Sequence, residues 1–469
     1  MTAAAGTLTV LAAALTLTQW RPVQGRHAGT AGPPAEPAGA DPESRAAPLQ
    51  LRAPKPGPWP PAVVPRMLLP PNDQRLRAQA FHLEGLVFRR PRDNSLVAGI
   101  VRRGTSVGIR SHEPGSGCKG GRWYQVVPRG YVCTRQGFNV SSRYRPELQS
   151  AVPDVSRSLP YRYAKAVRGA PRYYRRPSPS EERSAQTAIQ GAKHAKLPDV
   201  VSTIMDGAYF LAFPSDSKPE QRGFVQTVRG RVVRTRDLQQ LPAARMRGEL
   251  LSSARALPLA FVHLKSAVVR RQVPGGTRDE GRAEQFARFH VAETFLDESG
   301  EYLVSDGGHL VGREAVRIAR RIARPAAIPR QTKWIHIDLG EQTLVAYEDD
   351  RPVYATLVSS GKPPNDTPPG TFRIREKHIS ITMSGPDPDV KYYEVEEAPW
   401  TMYYHDGFAL HGAYWHNEFG NVRSHGCTNL PPGDARWLWH WVEPDLPAGW
   451  HGVWSRKGTR VHITPASGS

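Results

Sequence analysis

At 469 residues the chain is too long for one compact core, and about two to four domains are expected. Hydrophobic residues make up 39%, enough for folded domains, while the 44 prolines crowd residues 21–71, which are poor in large apolar side chains and read as a disordered linker. The formal charge of +20 is uneven: residues 331–469 carry 12 Lys and Arg against 17 Asp and Glu, so the first 330 hold 51 against 26. A basic front half on a mildly acidic C-terminal domain points to retention on a polyanion, and charge alone does not say which one.

In chain order, Ala3 to Leu17 forms a short apolar run with no preceding Lys or Arg and no clean small-x-small cleavage site, so residues 1–22 are expected to be a signal or anchor segment. The run is too short for a transmembrane helix, and no other stretch is long and apolar enough to span a bilayer. Residues 23–72 form the linker. Three strand-turn-strand patterns follow, each with glycine at the turn: Trp123 to Val132 around Gly130, Phe224 to Val233 around Gly230, and Tyr302 to Val311 around Gly307-Gly308. Together with Gly99 to Val107, the first resembles bacterial SH3-like wall-binding modules. That resemblance covers roughly Leu83 to Val140 and sets a domain at 78–140; residues 141–330 are expected to be a basic region with further modules of the same kind.

Cys118 and Cys133 flank a turn-rich segment, and a disulfide between them would suit an oxidising compartment; a zinc site there lacks two further ligands nearby. Such pairing leaves Cys427 as a lone thiol, a pattern that marks a reactive residue in an exported protein.

From Lys333 the signal is sustained β: Trp334 to Leu339 alternates, Gln342 to Tyr347 follows a Gly-Glu turn, and Val353 to Val358 is a buried run. Tyr403 to His411 reads as a hairpin with Asp406-Gly407 at its turn, and period-two alternation places Ala409 and His411 on one face. Sixteen residues beyond His411 lies Cys427, in Ser424-His425-Gly426-Cys427-Thr428-Asn429, followed by a helix expected over Asp434 to Val442. An ordinary thiol near pKa 8.5 supplies little thiolate at neutral pH, and a histidine within reach can take its proton and later return it to a leaving amine. Gly426 is expected to let the Gly426 and Cys427 amides face a developing oxyanion. A zinc site from His411, His416, His425 and Cys427 has the right residue types but no familiar ligand spacing. Trp437, Trp439 and Trp441 read as packing residues of the final helix, and His405 as a turn residue.

Ile337-Asp338-Leu339 to Gln342, Ser359-Ser360-Gly361, Thr367 to Phe372, Leu410-His411-Gly412 and Ser424 to Asn429 together resemble the L,D-transpeptidase (YkuD) catalytic domain, setting a domain at 331–466. The resemblance implies a mainly β protein: a mixed β-rich catalytic fold behind small SH3-like modules and a disordered linker. It implies an exported cysteine acyltransferase without cofactor or metal, acting on peptidoglycan stem peptides through a thioester, with L,D-carboxypeptidase activity as the variant in which water is the acceptor. It makes Cys427 the nucleophile and His411 the base, with Gly412 supplying a main-chain carbonyl that orients the imidazole. His425, Gly426 and Asn429 would shape the oxyanion side, with Ser424 and Tyr404 in substrate binding, and Asn429 stands where many members have Arg. Carbapenem-type lactams are the implied inhibitors and anionic wall polymers a further partner; the basic half contains no recognised nucleic-acid module.

Overall fold

The computed structural model describes residues 49–52, 76–145, 152–191, 196–241, 244–252 and 257–466. The expected signal or anchor segment and most of the linker lie outside them; within the linker, Leu49–Leu51 is a strand paired in parallel with Gly281 to Ala283. Strands dominate the described residues, with two α-helices, Pro179–Ile189 and Pro432–Trp441. No helix among the described residues is long and apolar enough to cross a membrane.

The first module spans Arg77–Ala80 to Phe138–Ser141, a curled antiparallel sheet around Val87, Val101, Val126, Val132 and Phe138. All three glycine-centred hairpins form with antiparallel register. Cys118 and Cys133 are joined by a disulfide across the loop that leads into Trp123–Val126. The module does not stand apart: Val97–Arg102 pairs with Gly452–Trp454, and Trp450 enters the same apolar cluster. Glycine is required at Gly99, because a Cβ there would meet the Trp450 ring at 2.1 Å.

Residues 152–330 hold two further β layers. Ala170–Tyr173, Val201–Met205, Phe224–Gln226 and Val232–Arg234 form one sheet. Beside it lies the first helix, whose start is fixed by a capping box between Ser178 and Glu181. Leu259–Val262 to Val316–Ala319 form a larger sheet.

The C-terminal domain has two sheets. In one, Glu249–Leu250, Arg351–Leu357, Thr343–Glu348, Lys333–Asp338, Arg460–Thr464 and Gly370–Arg373 lie side by side. The other is built on the long hairpin Glu376–Asp387 and Lys391–His405, continued by Phe408–Gly412 and Thr428–Leu430. Between them sit Ile335, Ile337, Leu344, Trp400, Met402, Leu410, Leu430 and Leu438, all essentially inaccessible. Burying each of these large side chains contributes about 1.5–3 kcal/mol. The final helix closes this core. Trp439 packs on Trp400 and Trp437 stacks on Tyr354, so these tryptophans serve packing.

Strand Lys391–His405 also receives the front region. Ala208–Phe213 joins its edge in parallel, with Ala208 opposite Tyr393 and Phe210 opposite Val395. Glu394, Glu396 and Glu397 on that strand are met by front-region arginines: Arg172 engages Glu394 and Glu396, Arg102 engages Glu397, and Arg229 lies 3.7 Å from Glu397. Arg102 and Glu397 are both buried, and Ser380 donates to the same carboxylate at 2.6 Å. Burial lifts Glu396 to about 8 against the pull of the Ala212 amide and Arg172.

Candidate active site

The strand pairing explains why His411 and Cys427 open into the same cleft. Phe408–Gly412 runs parallel to Thr428–Leu430 with Leu410 opposite Thr428, which sets Cys427 beside Ala409 at the strand entrance. Alternation puts Ala409 and His411 on one face, and the small Ala409 leaves room for sulfur. Both Cys427 and His411 line a cleft of about 630 Å³. Asp406-Gly407 turns the preceding hairpin as expected, with Gly407 at φ +76°, and Cys427 Sγ donates to Gly407 O at 3.7 Å.

The segment carrying Cys427 is held by the motif residues upstream of it. Ser359 pairs with Asn429 and Gly361 with Ser424, gripping both ends of the loop. Gln342 brackets Ser360 with two bonds: its Nε2 donates to Ser360 Oγ at 2.7 Å, and Ser360 N donates to its Oε1 at 2.8 Å. Thr367 Oγ1 donates to Gly426 O at 2.7 Å and accepts from Gly361 N at 2.9 Å. A side chain at Gly361 would collide with Asn365 O at 2.0 Å. Ser359-Ser360-Gly361, Thr367 and Gln342 are therefore the scaffold of the cysteine loop.

His411 is buried, with Nδ1 3.3 Å from Gly412 O and its ring stacked on Trp415. Nδ1–H donates to that carbonyl, which leaves the lone pair on Nε2. Burial lowers His411 to about 4, with the Gly412 carbonyl opposing the shift. Burial likewise raises the Cys427 thiol to about 11, although the Ala409 amide favours thiolate and part of the residue stays open to the cleft. The resting pair is thus a neutral thiol and a neutral imidazole.

Two expectations need correction. The Gly426 amide does not face the cleft: it donates to Ser424 Oγ at 3.1 Å, and Ser424 Oγ donates onward to Cys427 O, so Ser424 stabilises the loop's own turn. Tyr404 is not in the cleft but in the core, with its hydroxyl 3.5 Å from Thr428 Oγ1. Alternation sends its neighbour Tyr403 into the cleft with Tyr393, and burial, with Cys427 adding to it, keeps both phenols protonated as donors.

His425 lines the cleft, but its ring stacks on Tyr393 and its Nε2 lies 2.6 Å from Asp387 Oδ2, tying the loop to the tip of the long hairpin. Asn429 is the partner of His411 on the neighbouring parallel strand. The Glu418 amide donates to His416 Nδ1 at 3.2 Å, so neutral His416 carries its proton on Nε2. The Asn429 amide, 3.0 Å from that Nε2, must present its oxygen there, which turns its NH2 to a buried position with no other partner among the described residues. His416 and His425 are thus each committed away from Cys427, and no group of three or more His, Cys, Asp or Glu side chains among the described residues is spaced for a metal ion.

Sequence reasoning missed one wall of the cleft altogether. Lys165, Ala208 and Phe210, from the front region, line it together with the cysteine loop, with Lys165 Nζ 5.9 Å from the Phe210 ring centre.

Residues 332–463 match the L,D-transpeptidase catalytic domain, YkuD. Among solved structures, the catalytic domain of an E. faecium L,D-transpeptidase is 28% identical over 29% of this chain and 98% of that one, with a TM-score of 0.24. An L,D-transpeptidase from Stackebrandtia nassauensis is 24% identical over 30% of this chain and 60% of that one, with a TM-score of 0.21. The E. faecium domain acylated by ertapenem is 27% identical over 29% of this chain and all of that one, with a TM-score of 0.24. No curated protein matches the chain.

Proposed function

We propose that this chain is an exported peptidoglycan L,D-transpeptidase in which Cys427 forms a thioester with a stem peptide and His411 moves the proton. The observation that carries the reading is the seating of Cys427 and a carbonyl-oriented His411 in one cleft, within the region that matches the catalytic domain.

Substrate enters with its scissile amide against Cys427. As sulfur attacks the carbonyl carbon, its proton passes to His411 Nε2. The imidazolium formed is oriented through Nδ1–H by Gly412 O, where other enzymes use a carboxylate. The Cys427 amide is the donor offered to the oxyanion, since the Gly426 amide is engaged by Ser424, and Asn429 with its buried NH2 shapes that side from within. Collapse of the tetrahedral intermediate breaks the C–N bond; His411 protonates the departing D-amino acid and a thioester remains. An amine of a second stem then attacks the thioester, His411 takes its proton, and the thiol is regenerated. Water in place of the amine gives carboxypeptidase products. Gly426, Ser424 and His425 act as positioning residues. The curled sheet of residues 77–141 serves as the wall-binding module of SH3-like type.

Mass spectrometry of muropeptides incubated with the full chain tests this. Loss of the terminal D-residue together with a cross-linked or hydrolysed product is expected. Unchanged muropeptides would refute the assignment.

A further inference from the structure

A second cleft, of about 450 Å³, lies on the catalytic domain and is lined by Arg373, Arg375, Arg456 and Arg460 with Phe372 and His405. It flanks the same hairpin turn as the Cys427 cleft: His405 lines one and Gly407 the other. The geometry points to this cleft as a binding site for a phosphate group, carried by a phosphodiester polymer or by a free phosphate.

Four of the 12 cations in a domain of net negative charge converge here, so the cluster is not a by-product of a basic composition. Among the described residues none of the four has a carboxylate within ion-pair distance. Glu443 is near enough to act on Arg373 only through space. The strand register makes the crowding explicit. Arg373 and Arg460 are direct cross-strand partners in the antiparallel pair Gly370–Arg373 and Arg460–Thr464. Like charges placed opposite one another in this way weaken a sheet. Arg373 Nη1 donates to Gly458 O at 2.8 Å, which fixes its fork, and Arg460 Nε is buried without a hydrogen-bond partner among the described residues. Arg375 and Arg456 are exposed, with no hydrogen bond or ion pair to their side chains among the described residues. Guanidinium forks match phosphate oxygens bidentately. A lone carboxylate would compensate one of the four charges, a phosphate dianion two, and successive phosphodiesters of a polymer more. The cleft also sits on the acidic half, so the place that receives an anion differs from the one suggested by counting charges along the chain.

Calorimetric titration of the full chain at low ionic strength, with inorganic phosphate and separately with synthetic poly(glycerol phosphate), tests the site. Saturable binding to one site per chain is expected, weakening as salt rises. The rim double variant Arg375→Ala/Arg456→Ala should lose about tenfold or more in affinity with an unchanged melting temperature, and Arg460→Gln should weaken binding as well. Arg103→Ala, an exposed arginine of the front module, should leave affinity as it is. Tighter binding of the polymer at equal phosphate concentration assigns the polymer as the ligand, and equal binding assigns free phosphate. The proposal is overturned by no saturable binding of either probe, by full affinity in the rim double variant, by equal weakening in Arg103→Ala, or by polyglutamate binding as tightly as the phosphate polymer.

Discussion

Residues 1–330 carry a net charge of +25 and residues 331–469 one of −5, yet the two halves meet where these charges cancel. Along strand Lys391–His405, Glu394, Glu396 and Glu397 are taken up by Arg172, Arg102 and Arg229. The front half uses its arginines to grip the catalytic domain, while the catalytic domain gathers four arginines of its own in one cleft with no carboxylate partner among the described residues. Net charge by region therefore says little about which surface is available to an external anion. The grip also has a functional side, because the strand that carries the three glutamates also carries Tyr393 and Tyr403 into the Cys427 cleft.

The largest effect is expected from breaking the buried pair. Arg102→Met leaves the Glu397 carboxylate buried without its guanidinium and should destabilise the protein by about 3–5 kcal/mol. Arg102→Met combined with Glu397→Leu, which removes both charges, should recover much of that loss. Urea midpoints of the three proteins check this; a single variant as stable as the parent would show that the front region is not held through this contact.

A smaller effect tests whether the front half contributes to the cleft itself. Lys165 is exposed, makes no ion pair among the described residues and lines the same cleft as Cys427. Lys165→Glu should raise KM for an acidic stem peptide about fivefold with kcat nearly unchanged, the signature of lost uniform binding. A stem peptide with its carboxylates amidated should show little difference between the two enzymes.

The smallest effect is a predicted absence of one. His411 is depressed to about 4 and Cys427 raised to about 11, so neutral imidazole and neutral thiol coexist throughout the interval between. Acylation should therefore be nearly independent of pH there. It should fall as pH drops through the His411 value and its base is protonated, and rise only as free thiolate forms toward the Cys427 value. A sigmoidal rise centred near pH 8.5 would mean an unshifted thiol reacting as free thiolate.

Sequence legibility followed the range of the signal. The Tyr403 to His411 hairpin, its Asp-Gly turn and the face shared by Ala409 and His411 are local, and the structure forms them as read. Tyr403 and Tyr404 differ only in phase: in a strand one step exchanges core for cleft, and the sequence Tyr-Tyr offers no local clue to which enters it. The role of the Gly426 amide is not legible from glycine alone, because Ser424, two residues away, competes for it. Glu394, Glu396 and Glu397 look like a solvated face; Arg172 compensates Glu394, Arg102 and Arg229 compensate Glu397, and Glu396 is buried mainly in its protonated form. The wall formed by Lys165 and Phe210 depends on parallel pairing between Ala208–Phe213 and Lys391–His405, across a sequence separation that leaves no periodic trace.

Intact-mass analysis of the full chain after exposure to a carbapenem tests the central claim most directly. The strained lactam carbonyl stands in for the scissile amide, so one drug adduct per chain is expected in the parent, none in Cys427→Ala, and greatly slowed formation in His411→Ala. An adduct that persists in Cys427→Ala would contradict the assignment of Cys427 as the nucleophile.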